Sequence, residues 1–132
     1  MGPSSSNMRT PIGPISFQKH LIDGRFGELG DIFLAENDAA DLFFTHHFIF
    51  VKNYEWNHYK IYEWTKKGLK MYCCTKVKIQ KKTYLGSAYV SDIYKIAVSI
   101  SKGKDFSSIS FNCKDWVERF QNYISIYLLS PL

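Results

Sequence analysis

Hydrophobic and polar residues fall into short blocks through the middle of the chain and then recur at helical spacing in the last third. Short blocks of aromatic and β-branched residues, separated by turn-forming residues, are typical of β-strands. They predict four to five strands, which we place at residues 31–35, 43–52, 59–65, 70–80 and 84–90. Because the connections between these strands are short, an antiparallel meander is expected.

Two helices are predicted after the strands. In the first, Ser91 and Asp92 can cap the N-terminus, apolar residues follow at helical spacing, and Gly103 marks the end. A loop rich in serine separates this helix from the second one. The change of period from strand to helix therefore falls near residue 91.

The second helix is predicted to begin at Cys113. Asn112 is a favoured N-cap residue, and Asp115, three residues later, completes an arrangement like a capping box. Its apolar residues share one face and are expected to pack inward: Trp116, Val117, Phe120, Ile124, Tyr127 and Leu128. The predicted fold class is α+β, with an antiparallel sheet of four to five strands packed on a helix that carries a cysteine at its N-terminus.

The composition fits one domain. Of 132 residues, 45% are hydrophobic and 17% aromatic, so the chain can form a core and a wholly disordered chain is excluded. Residues 1–14 lack an apolar pattern and are expected to be a flexible arm or tag remnant, followed by a single domain at 15–132. No apolar run reaches the length of a membrane-spanning helix, and the N-terminus lacks the apolar centre of a signal peptide.

The cysteines argue against a disulfide framework. Cys73 and Cys74 are adjacent, a spacing that rarely forms a disulfide, and Cys113 stands alone. A chain with reduced thiols is expected in the cytoplasm. The histidines and cysteines lack the paired spacing of a zinc site, so the sequence predicts no metal and no cofactor.

The net charge is mildly basic. Seventeen Lys and Arg residues against 12 Asp and Glu residues give +5, which suits a weak attraction to phosphate-bearing surfaces. A basic band comprises Lys66, Lys67, Lys70, Lys76, Lys78, Lys81 and Lys82. We interpret this band as a solvated sheet edge that resists aggregation, with weak contact to a membrane surface as the alternative. A nucleic-acid partner is not favoured.

Cys113 is the residue with candidate chemistry. Backbone N–H groups at a helix N-terminus stabilise a thiolate, and a neighbouring imidazole makes that thiolate a nucleophile for acyl groups. His46 and His47 lie in a predicted strand, where neighbouring side chains point to opposite faces, so only one of them can meet Cys113. The alternative is that Cys113 is a small core residue on an apolar helix face.

Three segments carry a family resemblance: Gly30-Asp31-Ile32, the strand His46-His47-Phe48-Ile49-Phe50-Val51, and the helix start Asn112-Cys113-Lys114-Asp115-Trp116-Val117. In their order, spacing and type of element they resemble the lecithin:retinol acyltransferase family. That family is grouped with the NlpC-type cell-wall endopeptidases in circularly permuted papain-like folds. The resemblance covers residues 30–124 and implies a permuted papain-like domain.

The resemblance also implies roles for individual residues. Cys113 is the expected nucleophile and His46 its base, since the spacing of His46 from the next isoleucine matches the family pattern. His47 is the alternative base if the register differs by one residue. The family's third polar residue comes from the following strand, where Glu63 is the candidate and His58, nearer in sequence, the alternative.

The function implied by the resemblance is that of a cysteine-dependent acyltransferase or hydrolase. It would form an acyl-enzyme from an acyl-bearing partner, a lipid or a protein. Phe48 stands where the family has a small residue, Trp116 replaces a phenylalanine, and no hydrophobic anchor precedes Leu132. These departures argue against a phospholipid substrate but not against the Cys–His pair, and two alternatives remain. One is a peptidase, isopeptidase or deamidase with the same Cys–His pair, and the other is a non-catalytic binding module on this scaffold.

Overall fold

The computed structural model describes residues 9–11, 28–38, 45–107 and 111–129. These residues form six strands and two helices, followed by a 3-10 turn. The strands are β1 (Arg9–Pro11), β2 (Leu29–Asp38), β3 (Thr45–Lys52), β4 (Tyr59–Thr65), β5 (Gly68–Cys74) and β6 (Lys81–Tyr89). The helices are α1 (Val90–Ser101) and α2 (Cys113–Ile124), and the 3-10 turn is Ser125–Tyr127. The predicted α+β class is confirmed.

All six strands belong to one antiparallel sheet in the order β1-β5-β4-β3-β2-β6. Strands β2 to β5 form the meander that the short connections predict. β6 instead returns to the far edge and pairs with β2, which a local reading of turns does not predict. The sheet exceeds the predicted four to five strands because Arg9–Pro11, inside the segment expected to be a flexible arm, pairs with β5. The rest of residues 1–14 lies outside the described residues.

The sheet has an inner face that carries both helices and an outer face on the opposite side. Alternate residues of a strand point to opposite faces, so β2, β3, β4 and β5 each contribute to two apolar clusters. The inner cluster joins the strands to α1 and α2 and includes Ile49, Tyr62, Trp64, Ile93, Trp116 and Phe120. The outer cluster includes Phe48, Phe50, Ile61, Tyr72 and Cys74. β3 therefore lies at the centre of the fold, with side chains buried on both of its faces.

Gly30 allows β2 to lie close to the side chain of a neighbouring strand. A Cβ atom built at this position would lie 2.3 Å from Cγ1 of Val51 in β3. No side-chain carbon tolerates that distance, so glycine is required for the close approach. The Gly-Asp segment singled out in the sequence thus has a packing role at the start of β2.

The predicted end of the strand at 70–80 is wrong. The strand expected at 70–80 ends at Cys74, and residues 75–80 form a loop instead. The apolar residues of that loop, Val77 and Ile79, pack on the outer cluster, while Asn37 of β2 bonds its backbone at Lys78 and Gln80. Alternating burial there comes from this covering loop and not from a ladder.

Of the two predicted helix caps, one is confirmed and the other is wrong. Asn112 accepts a hydrogen bond from the N–H of Asp115, and the Asp115 carboxylate accepts one from the N–H of Asn112, so the capping box is confirmed. α1 begins directly after β6 at Val90, and its N-cap residue Tyr89 makes no side-chain capping bond, so Ser91 does not cap it.

Among the described residues, no helix has both the length and the apolar character needed to cross a membrane.

Candidate active site

Cys113 is the first residue of α2 and is half-buried against the start of β3. The capping box uses the N–H of Asp115, and the N–H of Trp116 donates to the carbonyl of Asn112 at 3.0 Å. The earlier N–H groups of the helix, those of Cys113 and Lys114, have no backbone carbonyl of the helix as acceptor, because a helix leaves its first donors without one. The positive end of the helix therefore lies at the thiol.

The start of β3 separates from β4 and makes room for the thiol. The β3–β4 ladder contains only Ile49, Phe50 and Val51 on the β3 side, whereas β4 pairs with β5 along its whole length. The backbone before Ile49 is thus free to face α2. There the N–H of His47 donates to Sγ of Cys113 at 3.4 Å, and Sγ lies 3.8 Å from the carbonyl oxygen of Thr45.

The side chain of His46 connects Cys113 to the outer face of the sheet. Its Nε2 lies 3.7 Å from Oε2 of Glu63, an ion-pair distance, and its imidazole interacts with the thiol of Cys113. Phe48 stacks on the ring with centroids 5.4 Å apart, which limits its rotation. The three residues expected to form the site, Cys113, His46 and Glu63, are therefore brought together.

Tyr72 extends this set of contacts, and the sequence interpretation missed it. The Tyr72 hydroxyl donates a hydrogen bond to Oε1 of Glu63, the carboxylate oxygen that does not face His46. The register of the β4–β5 hairpin pairs Ile61 with Tyr72, which places Tyr72 diagonally across from Glu63 on the outer face. The turn predicted at residues 66–68 could have indicated this register, because the turn of a hairpin fixes which residues of its two strands pair. Glu63 is buried, with 6% of its surface exposed, so these two partners determine its orientation.

The ionisation of the pair follows from these contacts. Burial alone lowers the pKa of His46, but hydrogen bonds to Cys113 and Glu63 and their negative charge outweigh it and raise the pKa to about 9. Burial alone raises the pKa of Cys113, but the hydrogen bonds from His46 and from the backbone of His47 and Lys114 outweigh it and lower the pKa. Both shifts favour a thiolate–imidazolium pair.

The side chain of His47 lies on the inner face, away from this set of contacts. Its Nε2 is 3.7 Å from Oε1 of Glu36, and its Nδ1 is 3.1 Å from the carbonyl oxygen of Thr45. Only its backbone N–H bonds the thiol. His58 precedes the start of β4, at the opposite end of that strand from Glu63, and stacks on Trp56. Neither alternative histidine places its ring on Cys113.

The other two cysteines have different surroundings. Burial raises the pKa of Cys73, although the charge of Lys60 acts in the opposite direction. Cys74 is buried in the outer cluster, with 2% of its surface exposed. Neither lies at a helix N-terminus, so Cys113 is the thiol with the surroundings of a nucleophile.

A pocket of about 470 Å³ opens beside Cys113 on the inner face of the sheet. Its described lining residues are Thr45, His47, Lys66, Phe106, Asn112, Cys113 and Lys114. The pocket gives a small molecule access to Cys113, while His46 approaches the thiol from the other face.

The arrangement can ionise a thiol that lines a small pocket and can hold a proton on the imidazole of His46 behind that thiol. Among the described residues there is no cluster of His, Cys, Asp or Glu that could hold a metal ion. Comparisons with protein-family models, with curated proteins and with solved structures found no match to this chain.

Proposed function

We propose that the protein is a cysteine-dependent acyltransferase or hydrolase in which Cys113 is the nucleophile and His46 the general base and acid. The observation that carries the proposal is the continuous series of polar contacts from Cys113 through His46 and Glu63 to Tyr72. A core cysteine needs none of these contacts, whereas an activated thiol needs a base and a group that orients the base.

Acylation begins with the thiolate of Cys113. Sγ attacks the carbonyl carbon of an ester, thioester or amide, and the carbonyl oxygen becomes an oxyanion. The N–H groups at the start of α2 are donors that can stabilise that oxyanion. As the tetrahedral intermediate collapses, the carbon–leaving group bond breaks and His46 gives its proton to the leaving group, which produces a thioester on Cys113.

Deacylation reverses the proton's path. Neutral His46 removes a proton from water, an alcohol or an amine as this acceptor attacks the thioester carbonyl. The carbon–sulfur bond then breaks and the thiolate re-forms beside imidazolium. Glu63 holds the ring with its negative charge near Nε2, so it is a positioning residue. The acceptor decides whether the reaction is hydrolysis or transfer.

The resemblance to the lecithin:retinol acyltransferase and NlpC-type families supports the same proposal, because a histidine strand that precedes a cysteine helix is the order of a permuted papain-like domain. Phe48 stands where that family has a small residue, and it stacks on His46 without lining the pocket at Cys113. Its bulk therefore leaves the nucleophile accessible. A lipid, a thioester and a peptide-like amide would all use the same acyl-enzyme.

Intact-mass spectrometry with an activated neutral ester, such as p-nitrophenyl hexanoate, tests the proposal. A hexanoyl thioester should form on wild-type protein and map to Cys113. Cys113→Ser should give no adduct at a comparable rate, because an ordinary serine hydroxyl is not ionised by such a pair. Cys73→Ser is the matched control and should be acylated like the wild type. Acylation that survives Cys113→Ser would exclude this residue as the nucleophile and leave the binding-module alternative.

A further inference from the structure

The pocket beside Cys113 has a cationic wall built from two different elements. Lys114 follows the nucleophile in α2, and Lys66 belongs to the turn between β4 and β5. The turn is held by hydrogen bonds from the Thr65 hydroxyl to the carbonyl of Gly68 and from the N–H of Lys67 to the Thr65 hydroxyl. The position of the Lys66 backbone is therefore fixed relative to the sheet.

No acidic side chain is among the described residues that line this pocket. Three carboxylates in the elements around the pocket already have partners: Asp115 is in the capping box, Glu63 bonds Tyr72 and faces His46, and Glu36 lies near His47 and Lys81. Within the described part of the chain, neither Lys66 nor Lys114 forms an ion pair. Lys66 and Lys114 are both exposed, and they contribute positive charge at the edge of the pocket without a paired carboxylate.

The thiolate does not cancel this charge, because the imidazolium of His46 already balances it. The positive end of α2 adds to the field of the two lysines. Positive charge concentrated at a cleft raises the local concentration of anions. Phe106 supplies an apolar wall in the same pocket, which suits the carbon chain of a small acyl compound.

We propose that the acyl substrate carries an anionic group, a carboxylate or a phosphate, that Lys66 and Lys114 bind while its carbonyl reaches Cys113. This inference rests on the proposed acyl-transfer function and specifies its substrate class. The volume of about 470 Å³ fits a small acyl compound or the end of a longer one. The basic band in the sequence does not show which lysines line the pocket. Lys67 belongs to that band, as Lys66 does, but it does not line the pocket.

The test measures how fast the full-length protein reacts with three esters of equal length: p-nitrophenyl hexanoate, the mono-p-nitrophenyl ester of adipic acid and a phosphonate-terminated analogue. We expect kcat/KM for at least one anionic ester to exceed that of the neutral ester by about tenfold, the combined effect of two exposed charges. The preference should shrink as salt is added. Which anionic ester reacts faster identifies the carboxylate or the phosphate as the bound group.

Substitutions test which lysine is responsible for the preference for an anionic ester. Lys66→Met should bring the anionic-to-neutral ratio towards one, and Lys66→Glu should favour the neutral ester. Lys67→Met, its neighbour in the same turn, should leave the ratio unchanged. If Cys113 reacts with all three esters equally well, the substrate inference is overturned while the acyl-transfer proposal stands. If the neutral ester fails to acylate Cys113 and the anionic esters fail as well, the acyl-transfer proposal itself is overturned.

Discussion

Glu63→Gln tests whether the carboxylate behind the imidazole sustains the ion pair. Glutamine has the shape of glutamate but no charge, so the change removes the electrostatic interaction with His46. At the observed 3.7 Å, a full pair of charges is worth about 4 kcal/mol at an effective dielectric constant of about 20. The His46 side chain is 34% exposed, so solvent screening reduces the effect, and we expect about 1–2 kcal/mol. That shifts the equilibrium from the ion pair to the neutral pair by about tenfold.

The assay is the rate of Cys113 alkylation by iodoacetamide at neutral pH, followed by peptide mapping. Glu63→Gln should slow the reaction by up to about tenfold, since only the thiolate is alkylated. Glu36→Gln is the matched control, because Glu36 lies at the same 3.7 Å from the other histidine, His47. Circular dichroism should show both variants folded. Equal slowing by the two substitutions, or none by Glu63→Gln, would refute the electrostatic reasoning.

Two further substitutions test the parts that support the site. Tyr72→Phe removes the hydroxyl that orients Glu63 but keeps the carboxylate charge, so it should slow alkylation by about threefold, less than Glu63→Gln; a larger effect would contradict a purely orienting role. Gly30→Ala should lower the free energy of unfolding by about 1–3 kcal/mol in urea, because its Cβ would overlap Val51, without slowing alkylation of the folded protein. Gly103→Ala is its control: it has a positive φ of 71° but no atom within 4 Å, and it should cost about 1 kcal/mol or slightly more.

Local chemistry made part of this structure predictable. The Asn112 capping box depends on four consecutive residues, and the 59–65 strand lies between two turns, so both are correct to the residue. The opposite orientation of His46 and His47 follows from strand geometry alone.

The sequence patterns did not predict contacts between distant segments of the chain. β6 pairs with β2 at the far edge of the sheet, a pairing that no turn residue encodes. Polar and apolar residues alternate at positions 76–79 as they would in a strand, because a loop that covers an apolar cluster also buries alternate side chains. Tyr72 was missed for a related reason: its partner Glu63 is visible only once the hairpin register is known.

The pH dependence of Cys113 alkylation in wild type, His46→Ala and His47→Ala tests the central claim most directly. In wild type, the pKa of Cys113 lies below its usual 9, so the rate should rise with pH and level off below that value. Acylation, which also needs the imidazolium, should fall again as His46 loses its proton near pH 9. His46→Ala should move the alkylation midpoint up towards 9 or above, and His47→Ala should leave it unchanged. A midpoint that stays in place in His46→Ala, or moves only in His47→Ala, would contradict the assignment of His46 as the partner of the thiol.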